Sequence, residues 1–330
     1  MNTNRKMRFS IVIPLYNKAH AIERAVRSVL AQTERSFELI VIDDGSTDDG
    51  AARVESFTDP RVRLLRQPNG GVSRARNAGV AAARFDWVAF LDADDEWSPD
   101  HLSALGMAHE RYPDTIAVGV AYCRVDAVGN VRELRVPPAA GSDAIWPISD
   151  YFDWSVKFDH PLCCSSSAVL KSILVEVGGF PAGVAAGEDL LTWARLACRG
   201  PVALAAARTA VFYVPDQRAE HRLSNIRRPA RPDRVGEALA VLLREFGGRL
   251  RIDVYLAHWY RIRAVSFFEL NDRRACVVEI WKAARTGGVT RKDMAMLAGL
   301  CVPLPLRARV LEKVRRRKAS PSVVSPSKPG

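Results

Sequence analysis

No stretch of this sequence is long and apolar enough to cross a bilayer as a helix. The longest, Met294 to Leu306, contains Pro303 and Pro305 and falls short of the roughly 20 residues that a spanning helix needs. The first residues, Met1 to Arg8, are polar and basic. The apolar run that follows, Phe9 to Leu15, is too short for a secretory leader and ends at Tyr16 and Asn17. A soluble or peripheral protein is expected. Cysteine is sparse, six in 330 residues. None forms a C-x-x-C pair and no histidines stand at zinc-finger spacing, so ordinary thiols in a reducing cytoplasm are expected. Cys163 and Cys164 are adjacent and would face opposite ways on a strand, which argues against a reactive pair. Glycine is missing where a dinucleotide-binding domain requires it. The turn after the first apolar run, Pro14 to Lys18, has none, so the G-x-G-x-x-G reading fails; a Walker loop and internal repeats are absent as well.

What is present is a core-forming chain, 48% hydrophobic and 26% charged, with a formal net charge of +11. Its length suits one large domain, or one domain with an appendage. Much of the positive charge comes late, in Arg222, Arg227, Arg228, Arg231 and the run Arg315 to Lys318. Such a surface suits nucleic acid, anionic lipid or a phosphorylated substrate, and charge alone does not choose among them. No nucleic-acid-binding motif accompanies it, so no nucleic acid is expected.

The stretch Trp87 to Asp95 (WVAFLDADD) organises the chain. Its apolar half reads as a buried strand. Carboxylates cannot continue into a core uncompensated, so the strand must end at an acidic turn or at a cleft where Asp92 and Asp94 meet a hard cation such as Mg²⁺ or Mn²⁺. Two carboxylates are what a cation shared with a diphosphate needs. Around this stretch, strands and helices alternate. Phe9 to Leu15, Phe37 to Ile42 and Val62 to Leu65 read as strands. Helical spacing follows Ile22, and Ser73 to Ala83 reads as a helix. Ser46 with Asp49 resembles a capping box opening a helix over 50–57. Ser98 and Pro99 read as the start of a helix to about Tyr112. Alternation of this kind predicts a parallel, doubly wound α/β sheet, in which ligands bind beyond the carboxyl ends of the strands. Here those ends are Tyr16-Asn17, Asp43-Asp44 and Asp92 to Asp94. Further on, 162–170 reads as a strand, Gly178 to Pro181 as a turn, and Gly187 as the start of a helix whose first turn holds Glu188 and Asp189. The helix macrodipole by itself would explain acids there. After about Asp216 strand signals vanish. Helical segments follow over 235–246, 254–270, 275–285 and 292–300, then a Ser/Pro/Lys-rich end. The expected domains are 1–215, a basic helical region 216–319 and a disordered tail 320–330.

Taken together, 10–17 (SIVIPLYN), 38–47 (ELIVIDDGST), 71–79 (GVSRARNAG), 90–95 (FLDADD), 178–180 (GGF) and 187–189 (GED) resemble glycosyltransferase family 2, over roughly Phe9 to Asn225. The resemblance implies a GT-A fold with a C-terminal helical appendage, a nucleotide-sugar donor and a divalent metal, Mn²⁺ or Mg²⁺. It implies that Pro14, Tyr16 and Asn17 line the base pocket, with Tyr16 stacking on a uracil-type ring. Asp44, with Asp43, would accept from the base. Arg74 or Arg76 would lie near the phosphates or base. Asp94 would be the direct metal ligand, with Asp92 nearer the ribose or the metal. Asp189, beside Glu188, would be the catalytic base, and His221 a late metal ligand. Each has a plainer reading: a strand-end aromatic for Tyr16, a solvated helix face for the arginines, a surface histidine for His221. The Gln-x-x-Arg-Trp motif of processive members is not met at Gln217 to His221, where the tryptophan is missing. That favours transfer of one sugar or a few; the resemblance itself implies inversion and a glycan or lipid-linked acceptor. Leu306, Val310, Leu311 and Val314, interleaved with Arg307, Arg309, Lys313 and Arg315, would form a helix on an anionic membrane, or a solvated basic helix. A cytoplasmic protein, peripheral at the inner membrane face, is the corresponding localisation. The rival classes are a sugar-phosphate nucleotidyltransferase, whose Gly-rich first loop is lacking here, and an inactive nucleotide-sugar-binding module.

Overall fold

A computed structural model describes residues 7–138, 141, 143–214 and 228–302. The first half is a parallel sheet with helical crossovers. β1 (Phe9–Leu15) and β2 (Phe37–Asp43) are almost wholly buried, as their β-branched runs require. α1 (Ala19–Leu30) joins them and turns Ala21, Ile22, Ala25, Val26 and Val29 to the core. α2 (Gly50–Glu55), β3 (Val62–Arg66), α3 (Val72–Ala82) and β4 (Trp87–Phe90) follow. Spatial order is β3-β2-β1-β4. In register, Leu15 pairs with Asp43 and Val12 with Phe90, all in parallel. The ends of β1, β2 and β4 therefore open on one rim, the place where a parallel sheet offers polar groups to a ligand.

The second half is mixed. β5 (Glu96–Trp97), α4 (His101–Arg111), β6 (Ala117–Val125), β7 (Val131–Glu133), β8 (Ile145–Ile148) and α5 (Tyr151–Lys157) lead to a single 3-10 turn, Cys164–Ser166. β9 (Ser167–Leu170), α6 (Lys171–Glu176), α7 (Glu188–Ala197) and β10 (Val202–Tyr213) complete it. The sheet continues β4-β9-β6-β10-β5. β9 runs antiparallel to both β4 and β6, while β6 and β10 are parallel. The sheet is thus mostly parallel at its core and flanked by helices, as expected, with β9 reversed inside it and β5, β7 and β8 pairing antiparallel at its margins, directions that sequence periodicity did not reveal.

Two expected helix starts fail. No capping box forms at Ser46. Its Oγ accepts from the Asn17 N–H (3.2 Å), and the residue preceding α2 is Asp49, which makes no side-chain cap. α4 begins at His101, not at Ser98 or Pro99. The backbone of those two residues is engaged elsewhere: the Ser98 N–H donates to the Thr209 carbonyl (2.8 Å) and the Pro99 carbonyl accepts from the Thr33 N–H (2.7 Å).

The chain divides by internal contacts into one unit of 1–225 with 230–256, and another of 226–229 with 257–330. The first unit includes α8 (Arg234–Phe246), capped by Asp233. α9 (Ile252–Glu269) crosses the division. α10 (Arg273–Gly287) is capped by Asp272, and α11 (Arg291–Leu300) opens on a capping box of Thr290 and Asp293. The second unit has its own small core of Ala264, Phe267, Ala275, Cys276, Ile280 and Leu300. His221 and the segment 306–315 lie outside the described residues. Among the described residues no helix is long and apolar enough to cross a membrane.

Gly119 on β6 decides where the 158–166 segment can run, because an added Cβ would sit 2.3 Å from the Pro161 carbonyl oxygen. Replacing Gly119 by Ala should lower unfolding free energy by about 1–3 kcal/mol. Gly106→Ala, which meets nothing within 4 Å, should be neutral or stabilising because it sits in a helix. Paired denaturant titrations check both.

Candidate active site at the sheet rim

Three loops form the rim, and each is held by polar groups of another. Asn17 adopts a left-handed conformation (φ 52°), which Asn tolerates better than most residues. Its Oδ1 accepts from the Thr47 N–H (2.8 Å), tying the end of β1 to the loop after β2. Pro14 is partly buried and Tyr16 is 49% exposed, its ring free at the rim. Asp43 is buried and accepts from the Ser46 N–H (2.9 Å). Asp44, also buried, has both carboxylate oxygens engaged. One accepts from Gln67 Nε2 (2.6 Å) and the Gly70 N–H (2.9 Å), the other from the Gly71 N–H (2.7 Å). Asp44 thereby fixes the loop that opens α3. Gly71 takes φ 85° there, a conformation that favours glycine. Gln67 was not apparent from sequence. Arg74 on α3 is exposed and packs along Gly70.

The acids after β4 separate by function. Asp92 pairs with Arg76 Nη2 at 2.7 Å, and Asp94 with Lys18 Nζ at 2.6 Å. The Asp94 carbonyl also accepts from Arg24 Nη2. Asp95 turns inward. It accepts from Ser165 Oγ (2.6 Å) and from the Tyr213 N–H (3.1 Å). Burial raises the pKa of its carboxyl, and the neighbouring Asp92 and Asp94 charges raise it further. Ser165 is the hub. Its Oγ accepts from the Asp92 N–H (3.0 Å), and its carbonyl accepts from Trp97 Nε1 (2.7 Å). One hydroxyl therefore sets both the start and the end of the acidic turn. Ser165 carried no sequence signal, since the 162–170 stretch read simply as a strand.

α7 brings the remaining acids. Gly187 (φ 82°) allows the sharp entry. Glu188 reaches Arg76 Nη1 at 3.4 Å. Asp189 accepts from the Leu190 N–H at 2.8 Å. Burial raises the pKa of both carboxyls. For Glu188 the Asp189 charge adds to this and Arg76 opposes it; for Asp189, Arg76 opposes and Asp92 adds. Arg76 is 4% exposed and lies over the Phe180 ring, 5.2 Å from its centroid. Phe180 is placed by Asn77 of α3, which donates to its carbonyl and accepts from its N–H, both at 2.8 Å. Segments from four places in the chain thus converge on one guanidinium. Sequence placed Arg76 near phosphates or base; the structure gives its guanidinium to Asp92 and Glu188.

Among the described residues no group of three or more His, Cys, Asp or Glu side chains is placed to hold a metal. Asp92 and Asp94 are both oxygen donors, each paired to its own cation, Arg76 and Lys18. That chemistry fits a hard cation whose other positions go to phosphate and water, and does not fit a closed protein cage.

A family model described as "Glycosyl transferase family 2" matches residues 10–171. An uncharacterised glycosyltransferase of Escherichia coli K12, YibD, is 40% identical over 129 residues, 38% of this chain and 36% of that protein. The succinoglycan biosynthesis protein ExoO of Rhizobium meliloti is 41% identical over 129 residues, 38% of this chain and 36% of that protein. The chain spans about a third of the length of these curated relatives. Among solved structures, residues 1–349 of S. aureus TarS in complex with UDP-GlcNAc superpose with a TM-score of 0.64 at 18% identity, covering 94% of this chain and 92% of that one. GalNAc-T7 with UDP, GalNAc and Mn²⁺ superposes with a TM-score of 0.51 at 16% identity, over 64% of this chain and 44% of that one. These likenesses establish a shared fold.

Ser165→Ala removes a partner from buried Asp95 and from the Asp92 N–H. It should destabilise the protein by about 1–3 kcal/mol, read as a lower denaturation midpoint with unchanged denaturant dependence. An unchanged midpoint would remove Ser165 from its role as hub.

Proposed function

We propose that this chain, whose residues 10–171 match the model of glycosyltransferase family 2, is an inverting, metal-dependent, non-processive enzyme. It would move a sugar from a nucleoside diphosphate sugar, UDP-type favoured, to a hydroxyl of a glycan or lipid-linked acceptor. The observation that carries this reading is the Arg76 bridge, which holds Asp92 after β4 and Glu188 of α7 to one guanidinium. It ties the acids expected at the donor to the helix turn that bears the expected base. The UDP-GlcNAc, UDP and Mn²⁺ complexes of the structural neighbours support the donor and cation classes. The succinoglycan role in the ExoO name supports a place in cell-surface polysaccharide synthesis.

The residue roles follow from charge and proton movement. Tyr16, exposed beside Pro14 and Asn17, offers a ring for a base to stack on. Asp43 and Asp44 organise that pocket, Asp44 through the Gly70 and Gly71 N–H groups. Arg74, exposed on α3, is a cation available to phosphate. A divalent cation held by Asp92 and Asp94, completed by His221, would supply Lewis-acid stabilisation of the departing diphosphate. Asp189 takes the proton of the acceptor hydroxyl as it attacks, an effect typically worth roughly 10²–10⁴-fold. One base with no carboxylate nucleophile gives single displacement and inversion, the same geometric rule that governs glycosidases. The basic residues 307–318 would face an anionic membrane surface at the inner leaflet, where a lipid-linked acceptor resides.

Asp189→Asn should lower the transfer rate by at least about 10²-fold while nucleotide binding, measured by calorimetry, stays near the parent value. Equal loss of both would remove Asp189 as the base. The raised pKa of Asp189 has a definite sign: the base is protonated, and the rate falls, as pH drops through it. Arg76 opposes that rise, so Arg76→Gln should move the acid limb of the rate profile to higher pH. A limb that stays in place would separate Arg76 from the base. Asp94→Ala should abolish the tightening of nucleotide binding by Mn²⁺. If Mn²⁺ tightens binding in that variant as in the parent, Asp94 is not a ligand.

A further inference from the structure

The second unit has an asymmetry of charge that the proposed transfer reaction does not use. Between Arg273 and Val302 the chain carries six cations and two acids, Glu279 and Asp293. Both acids are buried, 4% and 0% exposed. Glu279 faces Arg263 (3.2 Å) and Lys282 (3.5 Å). Asp293 caps α11 and pairs with Arg261 (3.0 Å). The outer surface of α10 and α11 is therefore cationic without an exposed acid to offset it.

That surface is not merely charged. On α10, Arg274, Val277, Val278, Trp281 and Arg285 recur at the spacing of one helix face. Val277 and Val278 are 45% and 44% exposed, and Trp281 is 56% exposed. The Arg285 guanidinium lies 4.7 Å from the Trp281 ring centroid, and Lys282 Nζ lies 5.3 Å from the Tyr260 ring centroid. An apolar centre with an aromatic, flanked by cations, is the pattern that settles at a lipid headgroup layer.

We propose that this outer face of α10 docks on an anionic lipid bilayer. The valines and Trp281 enter the headgroup boundary, and the exposed Arg274 and Arg285 meet the lipid phosphates. Charge complementarity selects this occupant. A second copy of the chain would bring the same excess of exposed cations, Arg274 and Arg285, against these, and like charges opposed across an interface are unfavourable. An anionic surface attracts each one, and the attraction weakens with salt.

The test uses the full chain without donor or acceptor, so its result is separate from that of the transfer assays. Co-sedimentation is measured with phosphatidylcholine vesicles, with and without phosphatidylglycerol. Binding should require phosphatidylglycerol and should fall at high salt. Arg274→Glu with Arg285→Glu should weaken binding at least about tenfold, and Trp281→Ala should weaken it several-fold. All three side chains are exposed, so parental thermal midpoints are expected and will show that the fold is kept. Three results would overturn the proposal. The first is no binding to phosphatidylglycerol vesicles. The second is undiminished binding by the variants, which would assign it to 303–330. The third is a parent that is dimeric by light scattering and becomes monomeric on Trp281→Ala, which would assign the face to a second copy.

Discussion

A single buried cation organises the rim of this molecule. Arg76 is almost fully removed from solvent, where an unpaired guanidinium would be prohibitively unfavourable. It is held by Asp92 on one side and Glu188 on the other, with the Phe180 ring beneath. The dependence is mutual. Without Arg76 the two carboxylates would lie in a partly dry site with no compensating charge, and breaking a buried pair in that way is strongly destabilising. This arrangement brings residues 112 positions apart in sequence, Arg76 and Glu188, into one cluster. It also moderates the proton affinity of Glu188 and Asp189, which burial raises.

The loops around that cation follow a common rule. Each is fixed by a small polar side chain whose capacity is filled by backbone groups of another segment. Asn17 holds the loop after β2. Asp44 holds the loop before α3. Asn77 holds the Gly178-Gly179-Phe180 turn, and Ser165 holds the acidic turn. Irregular backbone near a buried rim must find partners for its N–H and C=O groups. Here short side chains supply them, and glycines at Gly71, Gly179 and Gly187 adopt the positive φ angles that the turns need. The surface left open at the rim, with Tyr16 and Arg74 exposed, is what remains for a ligand.

The sequence was informative where a local rule has local consequences. The runs Phe9–Leu15 and Phe37–Asp43 are buried strands because β-branched and large apolar residues dominate them, while the buried Ser10 and Glu38 satisfy each other. Four late helices fell close to their expected bounds because apolar spacing and Asp233, Asp272 and Thr290 mark them. It was uninformative where competition is tertiary. The Ser46 capping reading failed because Asn17, far away in sequence, takes the Ser46 hydroxyl. The strand expected over 162–170 forms only as β9 (Ser167–Leu170), because Cys164–Ser166 turns as a 3-10 segment. Antiparallel insertion between β4 and β6 is decided by the neighbours.

By itself, then, the sequence determined the alternating α/β order, the rim to which the strand ends deliver Asp43, Asp44, Asp92 and Asp94, and the likeness of residues 10–171 to glycosyltransferase family 2, because apolar periodicity and ordered motifs are properties of the chain read linearly. Only the tertiary structure decided that Arg76 turns inward to bridge two acids, that Asp95 is locked to Ser165, and that Glu279 and Asp293 are hidden so that α10 shows cations and Trp281 outward. Which charges face each other depends on burial and on partners distant in sequence, and neither is written in the spacing of residues.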